Sequence, residues 1–208
     1  MVITIDGLGV NGKSTLAKRI AKHYNLKWLG TGIIYRIVTL LILENNIDYD
    51  DEESITKLLN NLNINVNDDL IFLDDKNVTD RIHMQDISIL ATDLARKPFI
   101  KNCIYIFQKN FINKYDSIIE GRDCGTIAAP NANVKFLLYA SLDERAKRLS
   151  KSLNISFAEA KKSLIKRDEL DLNGNFIKPE NAHEIDTTNY TLDQVYEIMV
   201  QIIDKAMI

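Results

Sequence analysis

The sequence predicts an α/β fold: a parallel five-stranded sheet with helices on both faces, plus a small antiparallel insertion and a helical lid. Two observations predict it. Short apolar runs alternate with longer segments of helical period, the rhythm of a parallel sheet. The first apolar run also leads straight into a glycine-rich loop and then a helix, the opening of a nucleotide-binding βα unit.

Taken in order, residues 2–5 are strand-like and residues 13–24 helical, with Leu16, Ile20, Ala21 and Tyr24 at helical spacing. A short strand at 27–29 precedes a helix over 32–45. Helices follow at 85–96 and 99–113, then strands at 117–119 and 134–139. Helices at 142–151 and 157–169, a strand at 183–185 and a helix at 192–206 complete the chain. Two stretches break the rhythm. Between 64 and 78, Ile64-Asn65-Val66 and Leu70-Ile71-Phe72-Leu73 flank Asn67-Asp68-Asp69, which reads as an antiparallel insertion with its own turn. Residues 141–179 are charged and helical, and run into Asn173-Gly174-Asn175, as expected of a mobile flap. The expected organisation is one unit over 1–208. Its core is 1–45, 86–140 and 180–208, its insertion about 46–85 and its lid about 141–179.

Composition bounds the function. The chain has 208 residues, 46% of them hydrophobic, which suits one globular domain with small insertions. A net charge of −3 gives no basic excess to neutralise a nucleic-acid backbone. No apolar run approaches the ~18 residues of a membrane span, and the chain enters a strand at once, so neither a membrane nor a signal peptide is expected. Cys103 and Cys124 form no disulfide framework, and thiols without an export signal point to the cytoplasm. His23, His83 and His183 are too scattered to suggest zinc.

The loop carries the chemistry. Gly7-Leu8-Gly9-Val10-Asn11-Gly12-Lys13-Ser14-Thr15 fits G-x-x-x-x-G-K-[ST] and has the required strand before and helix after it. Its glycines let backbone N–H groups face a polyphosphate, and the helix N-terminus adds favourable partial charge. Lys13 can reach the β- and γ-phosphates, and Ser14 can ligate Mg²⁺. A plain strand-to-helix turn is the bland alternative. The motif in this context makes the fold P-loop NTPase-type.

Two further strings narrow the reaction. Thr31-Gly32-Ile33-Ile34-Tyr35-Arg36 follows the second strand, and Glu120-Gly121-Arg122-Asp123-Cys124-Gly125-Thr126 ends the third. Ligands of open parallel sheets bind at such ends, so Arg36 and Arg122 are expected to face Lys13 across the sheet mouth. Cations around two phosphate groups suit phosphoryl transfer between nucleotides. Surface ion pairing is the alternative for either arginine. Asn113-Lys114-Tyr115-Asp116 spells the N-K-x-D of a GTPase, but it ends a helix rather than following a strand, and so reads as a helix cap and turn.

These residues together resemble the bacterial cytidylate kinases (CMP kinases) over nearly the whole chain. The shared elements are the strings at 31–36 and 120–126, Val134-Lys135-Phe136-Leu137, Glu144-Arg145-Ala146-Lys147-Arg148, Lys166-Arg167-Asp168 and Ile185-Asp186-Thr187-Thr188. The resemblance implies a nucleoside-monophosphate-binding insertion at 64–78 and ATP- and Mg²⁺-dependent phosphorylation of CMP and dCMP by a monomer. By that resemblance Lys13 and the loop hold ATP, with Ser14 on Mg²⁺. Arg36 and Arg122 clamp the CMP phosphate. Asp123, Thr92 and Lys101 recognise cytosine, Thr92 and Lys101 standing where the family usually has Ser and Arg. Thr31 helps hold the acceptor, Arg167 and Asp171 contact its ribose, and Arg148 and Arg167 belong to the closing lid. The departures are Val10 for a usual Gly, His83 for a common Arg, and Leu170, Leu172 and Gly174 for lid arginines, in a lid that is also shorter than usual. They predict fewer lid cations, with Lys178 as a candidate substitute. A kinase of another acceptor, such as UMP or a hydroxyl activated by Asp123, and a nucleotide-binding protein without turnover are the competing readings.

Overall fold

The computed structural model describes residues 1–67, 70–173 and 176–207. In chain order, β1 (Val2–Asp6), α1 (Lys13–His23), β2 (Lys27–Gly30) and α2 (Thr31–Glu44) come first. Next are α3 (Glu52–Asn60), β3 (Ile64–Asn67), β4 (Leu70–Leu73), β5 (Lys76–Asn77), α4 (Thr79–His83), α5 (Gln85–Leu94) and α6 (Pro98–Lys114). The chain then forms β6 (Ser117–Gly121), a π-helical turn (Cys124–Ala128), β7 (Val134–Tyr139), α7 (Leu142–Leu153), α8 (Phe157–Leu172), β8 (His183–Asp186) and α9 (Leu192–Ala206). The chain divides into two compact units, one of residues 1–29 and 115–208, the other of residues 30–114.

The first unit is built on a five-stranded sheet of order β2–β6–β1–β7–β8. β1 runs parallel to β6 and β7, and β7 parallel to β8. Strands covered on both faces are apolar almost throughout. Ile3, Ile5, Ile118, Ile119, Phe136 and Leu138 are accordingly buried. Trp28 on β2 is buried too, with the Lys18 ammonium over its ring. α1 packs against β6 and α9.

Three helices of this unit, α7, α8 and α9, start at side-chain caps. Ser141 accepts the Glu144 N–H, and Ser156–Glu159 and Thr191–Gln194 form capping boxes. The segment expected as a flap has a small core of its own: Ala146, Ala160 and Leu164 with Leu142, Leu149, Ile155 and Val10 around them.

The second unit carries the antiparallel sheet β3–β4–β5. Residues 68 and 69 of the expected turn lie outside the described residues. The unit is wider than the 46–85 insertion, because Ile37 and Leu40 of α2 and Ile87 of α5 share one core with Ile71, Val78 and Ile82. α3, α4 and β5 are additions to the predicted elements. α3 was legible: Asp51 caps it by accepting the Ser54 N–H at 3.0 Å, two glutamates fill its first turn, and Ile55 and Leu59 form its buried stripe. Among the described residues no helix is long and apolar enough to cross a membrane.

Candidate active site

The phosphate loop hangs from the end of β1, and its backbone fixes which residues it can contain. Gly7 has φ +146°, and a Cβ there would lie 2.1 Å from the Leu138 carbonyl oxygen. Gly12, at φ +83°, starts α1. Val10 also sits in the left-handed region, at φ 66°, a conformation that β-branched residues rarely adopt. Asn11 ties the loop to β7 by donating to the Leu138 carbonyl at 2.9 Å. Leu8 offers its carbonyl to the Lys13 ammonium at 2.7 Å, and Thr15 is exposed on the first turn of α1. Lys13 is buried at the loop's centre. Burial pushes its ammonium pKa down to about 7, and the Arg122 and Arg167 charges push the same way.

Ser14 donates to Glu120 Oε1 at 2.8 Å. A hydroxyl and a carboxylate at this spacing are two hard oxygen donors. That suits Mg²⁺, which takes few protein ligands when it shares a nucleotide's phosphates. No cluster of three His, Cys, Asp or Glu stands ready to cage a metal among the described residues.

Asp6, the last residue of β1, escaped the sequence reading. Its two carboxylate oxygens accept the N–H groups of Cys124 and Gly125, each at 2.7 Å. The carboxylate thereby holds the turn within the Glu120–Thr126 string. Burial nevertheless raises its pKa to about 6, against those two hydrogen bonds. Gly125 has room for nothing larger: a Cβ would meet Thr4 Oγ1 at 2.8 Å and Asp6 Oδ2 at 3.1 Å.

Arg122 donates from Nε to Asp171 Oδ2 at 2.7 Å and from Nη1 to the Gly7 carbonyl at 2.9 Å. Asp123 is buried, and its carbonyl accepts the Thr126 and Ile127 N–H groups. Arg167 lies against the loop: a Cβ on Gly9 would sit 3.5 Å from its guanidinium carbon. Arg148 gives Nη2 to the Thr187 carbonyl at 2.6 Å, Nη1 to Thr187 Oγ1 at 3.1 Å and Nε to Glu144 at 3.2 Å. Leu172 is exposed and Leu170 half-buried. Gly174 lies outside the described residues. Lys178 is paired with Glu184 at 2.7 Å.

In the second unit, Arg36 is braced by the Ile82 carbonyl at 2.8 Å and by Ser88 Oγ at 3.0 Å, and burial lowers its pKa from the ordinary value. Thr92 Oγ1 donates to the Ser88 carbonyl at 3.0 Å, so Ser88 joins two of the predicted site residues. Thr31 Oγ1 accepts from the buried Gln108 at 2.7 Å. Lys101 stands 5.8 Å from the Tyr105 ring centre. His83 closes α4. Gln108 carried no signal in the sequence, because its partner Thr31 is distant along the chain. For Ser88, whose partner Arg36 is also distant, the clue was its position one turn before Thr92 on one helix face.

A parallel sheet with this loop at the mouth of its central strand, a buried lysine in the loop and arginines beside it defines a class, the P-loop kinases that transfer phosphoryl groups to and from nucleotides. The family model described as cytidylate kinase matches residues 3–205. The chain is 37% identical to the cytidylate kinase of Fusobacterium nucleatum, over 99% of this chain and 98% of that one. It is 35% identical to the cytidylate kinase of Carboxydothermus hydrogenoformans with the same coverage. A solved structure of an uncharacterized protein from Eubacterium ventriosum shares the fold, with a TM-score of 0.56 at 16% identity over 98% of both chains. The chain belongs to the cytidylate kinase family.

Proposed function

We propose that the protein transfers the γ-phosphoryl group of ATP to CMP and dCMP, giving CDP and dCDP, with Mg²⁺. The observation that carries this reading is the juxtaposition at the end of β6. Glu120 accepts from the loop's Ser14, and two residues on, Arg122 donates to the loop's Gly7 carbonyl, so groups suited to metal and phosphate meet around buried Lys13. Family membership supplies the acceptor.

The donor phosphates lie along the N–H groups of residues 7–15, with Lys13 at the β- and γ-phosphates. Ser14, with Glu120 beside it, would hold Mg²⁺, which would supply charge neutralisation at the phosphates. Arg36 and Arg122 hold the acceptor phosphate. Thr92, Lys101 and Asp123 read the base, and Thr31, Asp171 and Arg167 steady the acceptor. The acceptor's phosphate oxygen is already ionised near neutral pH, so the chain provides alignment and charge in place of a general base. Arg167 adds positive charge over the loop, and Arg148 anchors α7 to Thr187. A coupled assay with ATP and Mg²⁺ against CMP, dCMP, UMP and AMP tests the reading. CMP and dCMP are expected to turn over fastest, and turnover of another acceptor with both inert overturns it.

A further inference from the structure

The α7–α8 hairpin meets the phosphate loop at Gly9 and Val10. Arg145 of α7 and Asp168 of α8 form a two-pronged pair at 2.6 and 3.0 Å, with side chains only 6% and 14% exposed. Arg145 also reaches the Gly9 carbonyl at 3.4 Å and the Ala140 carbonyl at 3.3 Å. Val10 packs on the hairpin's own core of Ala146, Ala160 and Leu164. It does so at φ 66°. Glycine would take that backbone conformation without strain, and strain persists only where the surroundings over-determine it. The surroundings here are the hairpin, so the valine side chain is retained for what it touches. Asp168 follows Arg167 directly in α8, and the Arg167 guanidinium lies on Gly9.

We propose that Val10 and the Arg145–Asp168 pair are positioning residues for Arg167: they fasten the hairpin to the phosphate loop and hold that guanidinium over Gly9. The proposal rests on the phosphoryl-transfer reading above. It gives the chain a way to keep one cation in place where Leu170 and Leu172 supply none. Arg167 already acts on Lys13 electrostatically, and Lys13 is the group that reaches the β- and γ-phosphates. The held charge therefore bears on the terminal phosphate of the donor.

The test is a set of cycles. Val10→Gly and Asp168→Asn are each made in the parent and in an Arg167→Ala background. CMP turnover is measured, together with Mg²⁺-dependent binding of a non-hydrolysable ATP analogue and of ADP, and thermal unfolding monitors the fold. Groups that act as one unit show non-additive losses. In the parent, each change is expected to lower kcat by about threefold to tenfold and to weaken the triphosphate more than ADP, as loss of one charge-assisted contact does. In the Arg167→Ala background the same changes should cost less than about twofold. Asp168→Glu should recover part of the loss. Equal losses in both backgrounds, equal weakening of both nucleotides, or an unchanged kcat in folded Val10→Gly would overturn the proposal. If Asp168→Asn does not fold, Val10→Gly decides alone. If the parent does not phosphorylate CMP, the proposed function fails, and the comparison of triphosphate with ADP still decides this point.

Discussion

Arg122 and Asp171 hold each other in a close pair, Nε to Oδ2 at 2.7 Å, with both side chains mostly buried. The same guanidinium donates to the Gly7 carbonyl, so one side chain links β6, the phosphate loop and the end of α8. If Arg122 holds the acceptor phosphate as proposed, that phosphate must compete with the Asp171 carboxylate for the Nε donor. Asp171→Asn should therefore strengthen binding of inorganic phosphate, a probe without a sugar, by about fivefold to tenfold. Competitive inhibition of the CMP reaction by phosphate reads this directly. Unchanged or weaker inhibition in a folded variant would show that Asp171 does not occupy the anion's place.

Lys13→Ala should abolish turnover, by at least about 10²-fold, while leaving the fold intact. The ammonium is buried and its pKa is depressed to about 7, chiefly by burial, so charge here is costly when no phosphate is present. Its removal should leave the melting temperature unchanged or higher. A folded variant with undiminished kcat would make the loop structural only.

Ser88→Ala should raise the KM for CMP about twofold to tenfold, with little effect on ATP. It deletes the hydroxyl that braces Arg36 at 3.0 Å, a contact of ordinary hydrogen-bond strength. Steady-state saturation with each substrate separates the two effects. An equal rise in both values would sink the assignment of Arg36 to the acceptor.

Gly7→Ala should prevent stable folding, at a cost of about 3 kcal/mol or more. A methyl there would be 2.1 Å from the Leu138 carbonyl oxygen, on backbone that cannot swing aside. Denaturant unfolding of the variant measures the loss. A cost below about 1 kcal/mol would mean that the loop relaxes around the methyl.

Asp6 sets a pH dependence of stability. Its folded-state pKa is raised to about 6, above the ordinary carboxylate value of 3.8. Its contribution is therefore fully present below pH 3.8 and is lost as pH rises through about 6. Asp6→Asn, though less stable throughout, should lack this loss. The difference in unfolding free energy between parent and variant should shrink between pH 4 and pH 6.5, by about 1.4 kcal/mol per unit within the window. A constant difference would contradict it.

The sequence made the loop legible because its chemistry is local. Glycine at positive φ, Lys13 and Ser14 all fall within nine residues, between a strand and a helix. The regular helices were equally readable from period and caps. The partners were not. Asp6 finds Cys124 and Gly125, Ser14 finds Glu120, and Arg122 finds Asp171, each across a stretch of chain that no pattern spans. Arg148 is another case: the resemblance assigns it to the closing lid and names no partners, and its donors go to Thr187 and Glu144. Val10 reads in the sequence as a departure, and only the apolar cluster beneath α7 and α8 gives it a physical reason.

The buried indole on β2 has a practical consequence. Trp28 is the chain's only tryptophan and belongs to the unit of residues 1–29 and 115–208. Its fluorescence therefore reports the solvation of that unit alone, whereas far-ultraviolet circular dichroism reports helices of both. Coincident denaturation curves from the two signals would mark a single cooperative transition. A fluorescence midpoint displaced from the dichroism midpoint would show the two units melting separately.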